Sequence, residues 1–155
     1  MTEPFLTGLI DLHHGDRPLA DVLDEVELWA NRRVDGLFLD QAPADAAGVG
    51  AVALAVRVAR RLGFQQVVLN PGRPVDPRYR DLHAEICTFE GDWTRYQRWS
   101  GEGSQPGDGH LVYGVPPAQQ PAAHRLLAAR QAGLAYVTAA PSLRDQGVPQ
   151  VVLAT

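Results

Sequence analysis

The chain has 155 residues, a formal net charge of −4, 45% hydrophobic and 21% charged residues, a balance that fits one soluble domain with a real core. So mild a charge excludes an acidic tail and the basic footprint of a nucleic-acid binder. All fourteen basic residues are arginine, which reads as drift in a GC-rich genome and excludes a standard lysine P-loop.

Leu9 to Leu12 reads as a first strand, followed by H-H-G-D-R-P. From Pro18 to Arg32, Leu19, Val22, Leu23, Val26 and Trp29 recur on one helical face. Asp16 is its expected N-cap, with Pro18 in the first turn. Gly36 to Leu39 is the second strand and runs into Asp40; Val49 to Leu62 is a second helix, stopped by Gly63. Gln66 to Leu69 is a third strand, ending in N-P-G. Asp76 to Leu82 predicts a short helical turn, Glu85 to Phe89 a fourth strand ending at Glu90, and Asp92 to Trp99 a helix. Residues 100–109, S-G-E-G-S-Q-P-G-D-G, form a loop on composition. His110 to Val115 is a fifth strand, Ala118 to Ala132 a helix, and Leu134 to Thr138 a sixth strand. The tail from Pro141 carries one more apolar run, Val151 to Leu153.

Strands alternating with helices imply parallel βαβ units, in either a doubly wound sheet or a (β/α)8 barrel. No G-x-G-x-x-G follows the first strand, so a dinucleotide cofactor lacks its fingerprint, and no cofactor is expected. The single cysteine, Cys87 in E-I-C-T-F, excludes a disulfide framework and reads as a core residue. No run approaches a membrane span and the N-terminus lacks a signal-peptide profile. The chain as written is therefore expected in the cytoplasm, or outside the cell if the true start lies upstream. His13 and His14 are adjacent and, in an extended segment, point to opposite sides; with His83, His110 and His124 they show no metal-ligand spacing.

Nearly every expected strand ends in a polar group. Asp11 lies in the first, Asp40 follows the second, Asn70 the third, Glu90 the fourth and Thr138 the sixth, while Tyr113 lies in the fifth. In a parallel α/β sheet these ends share the ligand-binding face. Asp40 with Glu90 would supply the acid and the second carboxylate that glycoside hydrolysis requires. Each residue alone also fits a turn or an N-cap, and Asn70 in N-P-G fits a turn as well as a ligand contact. Positions 92, 96 and 99 would share a helical face, which assigns Tyr96 and Trp99 to the core and places Trp93 beside a sugar subsite.

The ordered blocks G-L-I-D-L-H-H-G-D-R-P, V-D-G-L-F-L-D-Q-A-P, V-V-L-N-P-G, C-T-F-E-G, H-L-V-Y-G-V and A-Y-V-T-A-A resemble spherulation-specific family 4 (spherulin 4-like) proteins, from about Gly8 to Pro141. The resemblance implies a (β/α)8 barrel related to glycoside hydrolase family 135, whose members cleave α-1,4-linked galactosamine-containing polysaccharide. It implies Asp40 and Glu90 as acidic site residues, with Asn70 in the same cleft and Asp11, His14 and Arg17 in the segment after the first strand. An amino-sugar polysaccharide is then the partner, with no nucleic acid and no membrane.

Two departures bear on activity. The family's second block commonly reads D-E, whereas Gln41 follows Asp40 here, and an amide cannot act as a general acid; His14 also replaces the more usual Tyr. The chain is short as well, since such barrels have about 250 residues and rarely fewer than about 200. An incomplete barrel of about six strands, residues 1–155 forming one partial domain, is therefore expected. Either the start lies upstream, or the open edges pair in a homodimer, or the sheet is a reduced remnant. A hydrolase, a non-catalytic sugar-binding relative and an unrelated α/β domain whose strand-end acids are turn residues all remain open at this stage.

Overall fold

Short apolar runs closed by turn residues become six strands: β1 (Thr7–Asp11), β2 (Gly36–Asp40), β3 (Gln66–Asn70), β4 (Glu85–Asp92), β5 (Gly109–Tyr113) and β6 (Leu134–Val137). The computed structural model describes residues 6–32 and 34–142; the apolar run Val151 to Leu153 lies outside them. The strands form one sheet in the order β1-β2-β3-β4-β5-β6, each parallel to its neighbours. A doubly wound sheet needs a reversal of strand order at its centre. Here every strand follows its predecessor without reversal, as in the wall of a barrel. β1 and β6 do not pair, so the barrel is open.

Helices α1 (Leu19–Ala30), α2 (Val49–Arg61), α3 (Trp93–Arg98) and α4 (Gln120–Ala129) cover the outer face. Ile10, Leu37, Leu39, Val67 and Leu69 pack outward against Val22, Val26, Val52, Val56 and Ala59. Alternate residues face inward, where Phe38, Val68, Cys87, Leu111 and Leu134 form a separate cluster flanked by Leu9 and Tyr136. Burial on both faces explains why these strands read as continuous apolar runs. Cys87 is a buried free thiol, as its sequence context implied.

Several boundaries differ from the sequence reading for local reasons. β2 and β3 extend through Asp40 and Asn70 because the ladder continues across them: Asp40 pairs in register with Asp11 and with Asn70. Asp16 is not the cap of α1, which starts after Pro18 with no side-chain cap. It closes the 3-10 turn His13–Gly15 instead, its N–H donating to the His13 carbonyl. Caps do form at Asp45, which accepts from the Gly48 N–H, and at Asp92, which accepts from the Arg95 N–H at 2.9 Å. No helix among the described residues is long and apolar enough to cross a membrane.

The open edge at β1 is partly covered by its own chain. The Leu12 N–H reaches the Asp40 carbonyl and the Leu6 carbonyl accepts from Asp35 and Gly36. Even-numbered residues therefore turn their backbone toward β2, and Leu9 and Asp11 turn theirs toward the edge. Trp29 Nε1 donates to the Leu9 carbonyl at 3.3 Å and Arg17 Nη1 to the Asp11 carbonyl at 3.0 Å. An edge with its carbonyls already occupied is a poor template for a second strand.

A buried polar network closes the N-terminal end of β4 and β5. Asp108 forms a two-pronged ion pair with Arg80 and accepts from Thr88 Oγ1 at 3.0 Å and the Gln105 N–H at 2.8 Å. Burial works to raise its pKa, but Arg80 and these hydrogen bonds outweigh burial and hold the carboxyl below its usual range. His110, 1% exposed, sits between Tyr96 Oη, 2.8 Å from Nδ1, and Ser104 Oγ, 2.9 Å from Nε2. Burial, reinforced by Arg130 and opposed by Asp108, pushes the imidazole down to about 4 from 6.5. The unfolded chain therefore takes up this proton first as the pH falls. Stability should be full above pH 6.5 and should decline by roughly 3 kcal/mol down to pH 4 through His110, with Asp108 adding a further loss below that. Urea unfolding across this window should show the slope, and His110→Gln should flatten it.

Candidate active site

The strand ends form the mouth of the open barrel, with Asn70 at its centre. Asn70 is 1% exposed, and its single Nδ2 donates to Asp40 Oδ1 at 2.9 Å and to Glu90 Oε2 at 2.8 Å. The two oxygens thus lie no more than about 5.7 Å apart, the sum of those bonds. An amide nitrogen directs its two N–H bonds roughly 120° apart, which sets the carboxylate oxygens at about 5 Å. The amide orientation follows from charge, because turning Oδ1 toward either carboxylate would set acceptor against acceptor. Asn70 Oδ1 is left buried with no partner among the described residues, a cost of about 1–3 kcal/mol that the two charge-assisted bonds offset.

Glu90 reaches Asn70 because β4 is irregular. Its register with β5 shifts between Cys87 and Phe89, which makes Thr88 the extra residue of a bulge. Cys87 packs inward and Phe89 outward, so Glu90 returns to the inner face beside Asn70. In a regular strand it would point toward the helices. Gly72 completes the fit. Its φ is +66°, and a Cβ there would lie 3.0 Å from Glu90 Cβ and 3.3 Å from Glu90 Oε2. Its N–H donates to the Cys87 carbonyl, tying the N-P-G turn to β4.

The remaining expected site residues fall at different distances from this centre. Asp11 adjoins Asp40 in register and accepts the His13 N–H at 2.8 Å. Gln41, half-buried, directly follows Asp40 with φ 49°, and its carbonyl accepts the His14 N–H at 2.8 Å. His13 and His14 both adopt left-handed backbone conformations in a turn, not the extended segment expected; His14 is exposed at the rim. Tyr113 is close enough to Glu90 and Asp92 that burial first, and those charges second, raise its phenol, with Arg95 partly opposing them. Thr138 follows β6, and its Oγ1 accepts the Ala140 N–H. Two residues turn away. Arg17 pairs with Glu25 at 2.6 Å on α1. Trp93, 6% exposed, packs with Phe89, Tyr96 and Val112 while its indole N–H bonds Gln119, which corrects the expectation of an open sugar-stacking face. Among the described residues no group of three or more His, Cys, Asp or Glu is placed to hold a metal ion.

Reading by residue type missed Gly72 and Thr88. The N-P-G turn held a signal for Gly72; Thr88 carries none, since C-T-F-E looks like an uninterrupted strand.

The sequence matches the profile of Spherulation-specific family 4 across residues 5–144. The chain belongs to that family. A crystal structure of Aspergillus clavatus Sph3 in complex with GalNAc shares the fold, with a TM-score of 0.72 at 20% identity over 94% of this chain. The alignment spans 66% of that Sph3 chain, so this spherulation-family chain matches about two thirds of its neighbour's length. No curated protein matches the sequence.

Asn70→Ala should destabilise the fold by roughly 2–3 kcal/mol at pH 7, because both carboxylates lose their common donor. Chemical denaturation measures this, and Asn70→Asp, which adds a third carboxylate between them, should be worse.

Proposed function

We propose that this chain is a glycoside hydrolase-like protein acting on α-1,4-linked polysaccharide that contains galactosamine or N-acetylgalactosamine. Asp40 and Glu90 would be its carboxylate pair. The observation that carries the reading is the Asn70 amide, which holds Asp40 Oδ1 and Glu90 Oε2 on one donor atom. Glycoside hydrolysis needs one carboxylic acid to protonate the leaving oxygen and a second carboxylate to attack the anomeric carbon or activate water. A separation near 5 Å leaves no room for an interposed water and suits direct attack, hence a covalent glycosyl intermediate and retained configuration. Asp11, Gln41 and Tyr113 border the pair and would position sugar hydroxyls, with His14 and Thr138 at the rim. That Sph3, of the same fold, binds GalNAc supports a hexosamine ligand.

A second reading rests on Gln41. Where the resembling block carries an acid, this chain has an amide on a left-handed residue, and an amide hydrogen-bonds a hydroxyl but does not donate a proton to a leaving group. The site would then bind amino-sugar polymer without cleaving it.

Hydrolysis of N-acetylated and de-N-acetylated galactosamine polymers separates the two. The wild type should cleave at least one polymer, and Asp40→Asn and Glu90→Gln should each lower kcat by roughly 10²–10⁴-fold with the fold intact. Binding without cleavage would favour the second reading, and neither binding nor cleavage would overturn both.

A further inference from the structure

Thr88 and Phe89 oppose the single residue His110 across the β4–β5 ladder, and both side chains turn to the helix side of the sheet. That doubling is what returns Glu90 to the inner face, so whatever fixes these two residues also aims Glu90. Thr88 is 1% exposed, and its Oγ1 lies 3.0 Å from both Asp108 Oδ2 and Ser104 Oγ. Its one proton goes to the carboxylate, whose other partners include Arg80 and the Gln105 N–H. The buried Tyr96 phenol donates to His110 Nδ1 and the Nε2 proton faces Ser104 Oγ, which leaves Ser104 to donate to Thr88. Donors thus run in one direction from Tyr96 to Asp108, with Thr88 as the last link. Phe89 is seated 4.8 Å from the Tyr96 and Trp99 rings. Gly91 leaves the space for it, since a Cβ there would lie 2.9 Å from Phe89 Cζ.

We propose that Thr88 and Asp108 are positioning residues for Glu90: the buried hydroxyl–carboxylate bond on the helix side of the sheet locks the β4 bulge that points Glu90 at Asn70. Arg80 anchors this latch by holding Asp108 with two nitrogens. Neither residue reaches the mouth, because Thr88 and Glu90 turn to opposite faces of β4. Without the bond, Thr88 can rejoin the ladder, and a regular β4 would turn Phe89 inward and Glu90 toward the helices. A hydroxyl on the far face of β4 thereby sets the separation of the two carboxylates. The kinetic consequence rests on the proposed carboxylate-pair function; the placement of Glu90 does not.

The test compares Thr88→Val, which keeps the shape and removes the hydroxyl, with Thr88→Ser, which keeps the hydroxyl. In proton–nitrogen NMR spectra of the full chain, wild-type Asn70 should show two side-chain amide protons shifted downfield by their carboxylate partners. In Thr88→Val the proton bound to Glu90 should lose that shift, as it should in Glu90→Ala, while the one bound to Asp40 keeps it. Against galactosamine polymers, Thr88→Val should lower kcat roughly 10–100-fold at a KM within about twofold of wild type, and Thr88→Ser should recover most of the rate. Thr88→Cys, whose thiol is a weak donor that tolerates burial, carries the same expectation as Thr88→Val if the latter does not fold. Unchanged Asn70 amide protons in the folded hydroxyl-free variant, or Thr88→Val and Thr88→Ser equally impaired, would overturn the proposal. A wild type that cleaves no polymer would overturn the proposed function, and the amide protons would still decide whether Thr88 places Glu90.

Discussion

One side chain, Asn70, sets the geometry on which the mouth depends. An amide nitrogen has two protons, and both are directed at carboxylates on neighbouring strands, Asp40 on β2 and Glu90 on β4. That arrangement requires β2 and β3 in register so that Asp40 and Asn70 lie side by side. It also requires the bulge at Thr88, which brings Glu90 onto the same face, and a residue without a side chain at position 72. Three strands, one irregularity and one glycine are thus tied to a single donor atom. A group so over-determined is held rigid, which suits a pair of carboxylates whose separation decides their chemistry.

The two ends of the sheet solve opposite electrostatic problems. At the mouth, Asp40 and Glu90 share the neutral Asn70 amide, whose Oδ1 is left buried without a partner among the described residues. At the other end Asp108 faces Arg80, Thr88 and a backbone N–H, a satisfied network of the kind that stabilises and specifies a core. The open wall is handled locally too, with Trp29 and Arg17 occupying carbonyls at the β1 edge.

Much of this was legible in the sequence. Each strand was visible as a short apolar run, and the recurrence of acids and an amide at their ends pointed to one face because parallel strands leave their C-termini together. Tyr96 and Trp99 read as core from helical spacing, and Cys87 from its apolar neighbours. What was not legible depends on tertiary detail. Thr88 looks like any strand residue, and only the neighbouring strand reveals the bulge. Trp93 was misplaced because it lies three residues before Tyr96 in α3, with Asp92 outside as the cap, so the two share the buried face. Arg17 was drawn away by Glu25, two turns along α1, a competitor that a local motif does not show.

The proposed function rests on Asp40 and Glu90, whose Asn70-bound oxygens lie about 5 Å apart, serving as nucleophile and acid/base. Proton NMR of the first product released from an α-linked galactosamine oligosaccharide reports how the anomeric carbon was attacked. Direct attack by a carboxylate should make the α-anomer appear first, with the β-anomer growing only by mutarotation. A β-anomer appearing first would mean that water attacks directly across a wider gap, and would contradict it.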